Sequence, residues 1–155
     1  MNVPLVVGVG HPDRGDDAVG LLVAEAVGTA RPDLDVRLLT DPLALVDLLP
    51  VVEVAVVVDA AVTGSPAGTV HVFDATHAPL PGLQPGGLAS SHGLSPGDAI
   101  ELARALGRIP ARLAVVAVEI DAVDLGQPPQ PAVVAAVQHA VAQVLALVDA
   151  ESSSN

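Results

Sequence analysis

The sequence predicts an α/β fold, a three-layer α/β/α sandwich around a mostly parallel five-stranded sheet with one antiparallel edge strand. Apolar runs of strand length alternate along the chain with segments of helical period, as in a parallel sheet covered on both faces. The core must be aliphatic, because hydrophobic residues make up 51% of the chain, Trp, Tyr and Cys are absent, and Phe73 is the only Phe. The 155 residues suit one domain, placed at residues 1–150, with a polar tail at 151–155.

The first half of the chain predicts three strands and two helices. Leu5–Val9 is a run of buried-strand type that stops at Gly10. A helix follows over Asp17–Val27, where apolar residues recur at helical spacing before Gly28. The remaining elements of this half are a short strand at Val36–Leu39, a short helix at Leu43–Leu49 and a strand at Val54–Val58.

The second half predicts two more strands and two helices. Gly68–Phe73 alternates and follows the third strand after only a short turn, which favours an antiparallel edge strand. Asp74–Ser91 is rich in Pro and Gly and is longer than a typical connection, as binding loops often are. Ser95 followed by Pro predicts the start of a helix that runs to Leu106. The last elements are a core strand at Arg112–Ile120 and a helix at Pro131–Asp149.

Composition and charge exclude several classes of function. Without cysteine there is no disulfide, no thiolate metal site and no Cys nucleophile. The net charge of −12, from 18 acidic residues and 6 basic ones that are all Arg, disfavours nucleic acid and anionic membranes as partners. The longest apolar stretch, Pro131–Val148, is interrupted by polar residues, and no basic residue precedes Val3–Val9 as in a signal peptide. We therefore expect a cytoplasmic protein without a membrane span.

The candidate functional residues follow the predicted strands, because ligands bind beyond the carboxyl ends of parallel strands. Asp16 and Asp17 come after the first strand, Asp59 directly follows the third, and His92 precedes the Ser95 helix. A lone acidic pair at a helix start is more often a cap, but a charge after a buried strand is costly unless it is paired or binds something. Two carboxylates and an imidazole suit nickel, zinc, iron or manganese better than calcium.

Other motifs carry weaker signals. Gly8, Gly10 and Gly15 resemble a dinucleotide-binding loop, but the neighbouring aspartates would face the pyrophosphate. Ser90 and Ser91 beside His92 do not form a catalytic triad, because adjacent residues rarely point at each other. For the other histidines we expect ordinary structural roles at His71 and His139, an outside candidate at His77, and either a turn or a site-lining role at His11.

Three motifs in order resemble the hydrogenase maturation proteases, endopeptidases that remove a C-terminal extension from the large subunit of nickel-iron hydrogenases. They are GVGHPDRGDDAVG at residues 8–20, the strand that ends in Asp59-Ala60, and SHGL at residues 91–94, with VAVE at residues 116–119 also similar. The resemblance implies that Asp17, Asp59 and His92 contact the metal. It also implies that Asp16 corresponds to the acidic residue that directly precedes the first of these positions in the family. His11 stands where the family usually has Asn after the second glycine. Residues 127–131 differ from the Leu-Ser-Pro that usually precedes the last helix in the family.

The resemblance implies an aspartic-type or metal-assisted peptidase in which nickel comes from the substrate, the large-subunit precursor, with no organic cofactor. Asp16 is a candidate general base, and we expect a monomer. Two alternatives remain open. A self-contained metal-dependent hydrolase would hold its own zinc or manganese on the same three residues. A non-catalytic nickel-sensing assembly chaperone would bind the precursor without cutting it.

Overall fold

The computed structural model describes residues 3–11, 18–77, 95–121 and 129–152. Five strands and four α-helices alternate there in the predicted order, and short 3₁₀ turns flank the second helix. The strands are β1 (Leu5–Val9), β2 (Asp35–Leu39), β3 (Val54–Ala61), β4 (Val70–Asp74) and β5 (Arg112–Glu119). The helices are α1 (Val19–Ala30), α2 (Leu45–Leu48), α3 (Pro96–Ala105) and α4 (Pro131–Ser152).

The sheet has the strand order β2-β1-β3-β5-β4. Its pairs are parallel except β4 with β5, which is antiparallel and leaves β4 at one edge. The predicted mostly parallel sheet with one antiparallel edge strand is therefore confirmed. The edge strand hydrogen-bonds to β5, although β3 is the strand that precedes it in the chain.

Two aliphatic clusters on opposite faces of the sheet make the three layers. On the first face, α2 and α3 pack against the sheet through residues such as Leu45, Leu49 and Ile100. On the second face, α1 and α4 pack through residues such as Val23 and Val144. Burial of aliphatic surface on both faces is what a parallel sheet requires, and it explains why the three central strands β1, β3 and β5 are predominantly apolar.

Most element boundaries differ from the sequence prediction by one to three residues, and the differences in β3, α1 and α4 are the most informative. β3 continues three residues beyond Val58, because residues 59–61 pair with the end of β5. Asp59 therefore lies inside the strand and does not follow it. α1 begins at Val19 after Ala18, and α4 continues to Ser152, since no Gly or Pro interrupts it after Asp149.

The C-terminal helix α4 is long and apolar enough to cross a membrane by length and composition, contrary to the expectation from its interrupting polar residues. Core helices pass the same test. One side of α4 is packed in the second aliphatic cluster, where Val133, Ala140 and Val144 are fully buried. The apolar residues on this side of α4 therefore cover the second face of the sheet.

Candidate functional site

The sheet reverses its strand order between β1 and β3, and this point carries a buried carboxylate. From β1 the chain crosses to β2 on one side, and it later returns to β3 on the other. In open α/β sheets such a switch leaves a crevice beyond the carboxyl ends of the two strands, where ligands bind. Asp59 lies on β3 at this end, one residue after the last β1–β3 pair, Gly8 with Val58. The side chain of Asp59 is only 1% exposed, in keeping with the expected buried charge.

The first turn of α1 is packed directly on the same crevice. A Cβ added to Gly20 would collide with the carbonyl oxygen of Val9, and it would lie 2.6 Å from the carbonyl oxygen of Val58 and 3.1 Å from Cα of Asp59. A Cβ at Gly8 would in turn collide with the carbonyl oxygen of Gly20. These two glycines of the first motif therefore allow close contact between backbones. The close contact sets the start of α1 against the strand ends.

The start of α3 lies at the same end of the sheet. The guanidinium of Arg104, near the end of this helix, donates hydrogen bonds to the carbonyl oxygens of Ala75 and Thr76 at 2.7 and 3.1 Å. Those two residues follow the antiparallel strand β4, so they lie at the opposite end of the sheet from Asp59. A ten-residue helix spans about 15 Å, which brings its first turn toward the carboxyl ends of the strands.

A capping box holds that first turn of α3. The hydroxyl of Ser95 accepts a hydrogen bond from the backbone N–H of Asp98, and the Asp98 carboxylate accepts one from the backbone N–H of Ser95, both at 3.1 Å. Ser95 is 1% exposed. The predicted cap is confirmed, and it fixes the point at which the chain arrives from His92, three residues earlier.

The structure describes one of the four predicted site residues. Asp16, Asp17 and His92 lie outside the described residues, as do Arg14, Ser90, Ser91 and residues 78–94 of the predicted binding loop. In the described part of the chain, no three His, Asp or Glu side chains form a group that could hold a metal ion. The predicted set of Asp17, Asp59 and His92 therefore stays a prediction, and the described end of the sheet supplies the position of Asp59.

A second buried carboxylate lies near the end of β5. Glu119 is 1% exposed, and both of its oxygens have hydrogen-bond partners. The backbone N–H of Thr63 donates to Oε2 at 2.7 Å, and the Thr63 hydroxyl donates to Oε1 at 2.6 Å. Nε2 of His71 lies 3.0 Å from the same Oε1. We call Thr63, His71 and Glu119 the Glu119 cluster.

The hydrogen bonds of the Glu119 cluster determine the charge state of its carboxyl group. Burial alone would raise the pKa of Glu119. The donors of Thr63, together with His71 and the backbone of Gly64, outweigh burial and hold the pKa below its usual value. Glu119 is therefore an ionised carboxylate at neutral pH, and it ties β5 to β4 and to the turn after β3.

The Glu119 cluster was not predicted from the sequence. An ordinary structural role was expected for His71, and Glu119 stood out only as part of the family-like segment of residues 116–119. One signal was present: Glu119 ends a buried apolar strand, which is the observation that singled out Asp59. The pairing itself joins residues 48 positions apart, so spacing in the sequence could not reveal it.

Two of the remaining histidines, His77 and His139, and a described cleft lie away from Asp59. His77 follows the end of β4 at the opposite end of the sheet, and His139 is exposed on α4 beside Gln143. His11, just beyond β1, is exposed at the Asp59 end. A cleft of about 120 Å³ is lined at the opposite end by residues that include Val54, Arg112 and Leu147, so it is separate from the crevice.

Comparison with known proteins agrees with this geometry. A family model described as hydrogenase maturation protease (HycI) matches residues 37–147, a stretch that includes Asp59, His92 and Glu119. The hydrogenase maturating endopeptidase HybD from E. coli has 24% identity, with a TM-score of 0.74 over 96% of this chain and 93% of its own. The HycI protease from Thermococcus kodakarensis has 20% identity and a TM-score of 0.72 over the same shares. A search of curated proteins gave no match.

Proposed function

The chain belongs to the hydrogenase maturation protease family, and from this premise we propose that it cleaves the C-terminal extension of a nickel-loaded large-subunit precursor of a nickel-iron hydrogenase. The observation that carries the proposal is the buried carboxylate of Asp59 at the switch point of the sheet. Asp59 is 1% exposed and is held within β3 at the end of the sheet where open α/β folds bind their ligands. The cytoplasmic location and the monomeric state are parts of the same proposal.

We propose Asp17, Asp59 and His92 as the residues that contact the nickel of the precursor. Carboxylate oxygens and an imidazole nitrogen are suitable donors for a first-row metal, and the packing of Gly20 against Asp59 supports this grouping because Asp17 precedes Gly20 by only three residues. Bound nickel would supply an electrophile that favours attack on the scissile carbonyl. Three protein donors leave further positions for ligands of the precursor, which agrees with the implication of the family resemblance that the metal comes with the substrate.

The protein's own residues have three proposed tasks. Asp59, fixed within β3, presents its carboxylate at a defined position in a crevice with little water. Asp17 and His92 orient the precursor from the segments that lead into α1 and α3. Asp16 accepts a proton from the attacking water as a general base.

The test is cleavage of nickel-loaded and nickel-free precursor, followed by mass spectrometry of the C-terminus of the large subunit. Wild type should remove the extension from the nickel-loaded precursor only. Asp59→Asn and His92→Ala should lose cleavage by at least about a hundredfold while their circular dichroism spectra stay unchanged. Undiminished cleavage by either variant contradicts the site assignment.

Two control variants test whether the loss is specific. Asp74→Asn removes an exposed carboxylate at the opposite end of the sheet, and His139→Ala removes an exposed imidazole on α4. Both should cleave like wild type.

Tightly bound metal in the purified protein would favour the self-contained hydrolase, and binding of the precursor without cleavage would favour the assembly chaperone.

A further inference from the structure

The Glu119 cluster lies on the same face of the sheet as Asp59. Asp59 pairs with Ala117 of β5, and His71 of β4 pairs with the same Ala117 from the other side. The three residues thus form one row across β3, β5 and β4. Strands are spaced by about 4.8 Å, which places the Cα atoms of Asp59 and His71 about 10 Å apart.

The alternation of side chains assigns this row to one face. Val57, Ala61 and Ala117 belong to the first aliphatic cluster, whereas Val58 and Ala60 belong to the second. Since successive side chains of a strand point to opposite faces, Asp59 projects to the first face. His71 stacks on Phe73, which also packs against the first cluster. The side chain of His71 is 22% exposed, whereas that of Glu119 is 1% exposed.

The Glu119 carboxylate determines which nitrogen of His71 carries the proton. An ionised carboxylate only accepts hydrogen bonds, so Nε2 of His71, 3.0 Å from Oε1, must be the donor. Nδ1 of the neutral ring is then a hydrogen-bond acceptor. A histidine whose second nitrogen is fixed by a carboxylate is a common arrangement where the imidazole contacts a metal or a substrate.

We propose that His71, oriented by Glu119, contacts the precursor peptide bound at the crevice, with Nδ1 accepting a hydrogen bond from a peptide N–H. His71 is a substrate-binding residue, and Glu119 is a positioning residue that acts through it. This inference rests on the proposed function, because the ligand is the precursor segment held beside Asp59. His71 lies one strand beyond Ala117 in the row that starts at Asp59, and its side chain is 22% exposed. A peptide that extends from the crevice toward the edge strand would follow this row.

Two amide substitutions separate the contact with the peptide from the contact with Glu119. Gln reaches the position of Nε2, so His71→Gln keeps a donor for Glu119 and loses the acceptor at Nδ1. Asn places its carbonyl oxygen near Nδ1, so His71→Asn keeps the acceptor and loses the donor to Glu119. If His71 only ties β4 to Glu119, Gln should replace it better than Asn.

We expect His71→Gln to raise KM for cleavage of the nickel-loaded precursor roughly fivefold to tenfold, the usual effect of one lost hydrogen bond. Its kcat should stay within about twofold of wild type. His71→Asn should stay closer to wild type in KM. If the KM of His71→Gln is not higher than the KM of His71→Asn, the proposal is overturned. His139→Gln, on the exposed face of α4, is the control and should change neither constant.

The positioning role of Glu119 has a readout that needs no precursor. Long-range ¹H–¹⁵N spectra, recorded at about pH 8.5 where a free imidazole is neutral, should show His71 protonated at Nε2 in wild type. In Glu119→Gln the amide oxygen should take the Oε2 position, because the backbone N–H of Thr63 can only donate, whereas the Thr63 hydroxyl and the His71 ring can also accept. The amide NH₂ then faces Nε2, which should shift the ring toward the Nδ1–H form and raise KM as His71→Gln does. An unchanged tautomer in Glu119→Gln, or an unchanged KM with a changed tautomer, overturns the positioning role.

Failure of this proposal differs from failure of the proposed function. If wild type does not cleave the precursor, the proposed function fails. In that case, calorimetry measures the dissociation constant of each His71 variant for the nickel-loaded precursor, and these constants replace KM in the comparison of the variants. If wild type cleaves and the His71 variants are ranked in the reverse order, the proposed function stands and the contact at His71 is wrong.

Discussion

Cα of Asp59 lies 3.1 Å from the position that a Cβ on Gly20 would occupy, so the first turn of α1 rests on the backbone of the strand that carries the buried carboxylate. Only a residue without a side chain permits this approach. The same contact sets the first turn of α1 at the crevice, and Asp17 precedes that helix by two residues in the sequence. The packing of α1 on β1 and β3 thus explains why residue 20 is a glycine.

We predict that Gly20→Ala destabilises the protein. The added methyl group would overlap the carbonyl oxygen of Val9, and it would lie 2.6 Å from that of Val58. Both atoms belong to a buried sheet that cannot move freely. Such overpacking should lower the free energy of unfolding by about 1–3 kcal/mol, measured by urea denaturation. Cleavage should fall further than stability alone explains, because α1 must move away from Asp59.

Gly28→Ala in the same helix is the matched control. A Cβ there would make ordinary contacts of 3.5 to 3.8 Å with the side chain of Val36. Replacing a helical glycine by alanine removes backbone freedom from the unfolded chain, so stability should rise by about 0.5–1 kcal/mol. Equal effects of the two substitutions would show that the close approach at Gly20 does not matter.

We predict that Glu119→Gln lowers stability even though size and shape are retained. If the amide oxygen stays at the Oε1 position, the NH₂ group faces the backbone N–H of Thr63. If the amide turns, the NH₂ group faces Thr63 Oγ1 and His71 Nε2 instead. A buried mismatch of this kind costs about 1–3 kcal/mol, measurable as a lower urea midpoint. Glu101→Gln, at an exposed ion pair with Arg104, should change stability by less than about 0.5 kcal/mol.

The Glu119 cluster also predicts a component of acid destabilisation. The pKa of Glu119 is held below the ordinary value of 4.5, because hydrogen bonds from Thr63 and His71 outweigh burial. The unfolded chain therefore takes up the proton first as the pH falls. The stabilisation is complete above pH 4.5 and is lost as the pH falls through the lower pKa of the folded state.

The measurement is a pair of urea titrations at about pH 7 and about pH 3.5, for wild type and Glu119→Gln. The variant lacks the titrating group, so its stability should fall less between the two values. Other carboxylates with lowered pKa values, such as Asp74, are shared by both proteins and cancel in the difference. If wild type and Glu119→Gln lose the same amount of unfolding free energy between the two pH values, the role assigned to Glu119 is contradicted.

The sequence predicted the fold because local patterns and global packing agree in it. Continuous apolar runs favour strands buried on both faces, and the capping box at Ser95 is a local signal that the structure confirms. The end of β3 was predicted too early, since Asp59 resembles a strand terminus. Pairing with β5 extends the strand to Ala61, and such pairing is set by tertiary structure.

The candidate site was predictable only in part, for a similar reason. Burial of Asp59 was foreseeable, because a charge inside an aliphatic segment indicates a special role. The row of Asp59, Ala117 and His71 depends on the register of an antiparallel strand that pairs with β5 and not with its predecessor β3. Nothing in the spacing of those residues encodes that register.

The cap of α3 gives the last prediction. Ser95→Ala removes the acceptor for the backbone N–H of Asp98, so stability should fall by about 1 kcal/mol. Ser95→Gly should cost less, because glycine is a better N-cap residue than alanine. Because Ser95 lies three residues after His92 in the sequence, we expect Ser95→Ala to reduce cleavage of the nickel-loaded precursor more than it reduces the folded fraction. Urea denaturation and cleavage assays on the same preparations measure both effects, and a loss of cleavage no larger than the loss of folded protein would limit Ser95 to helix stability.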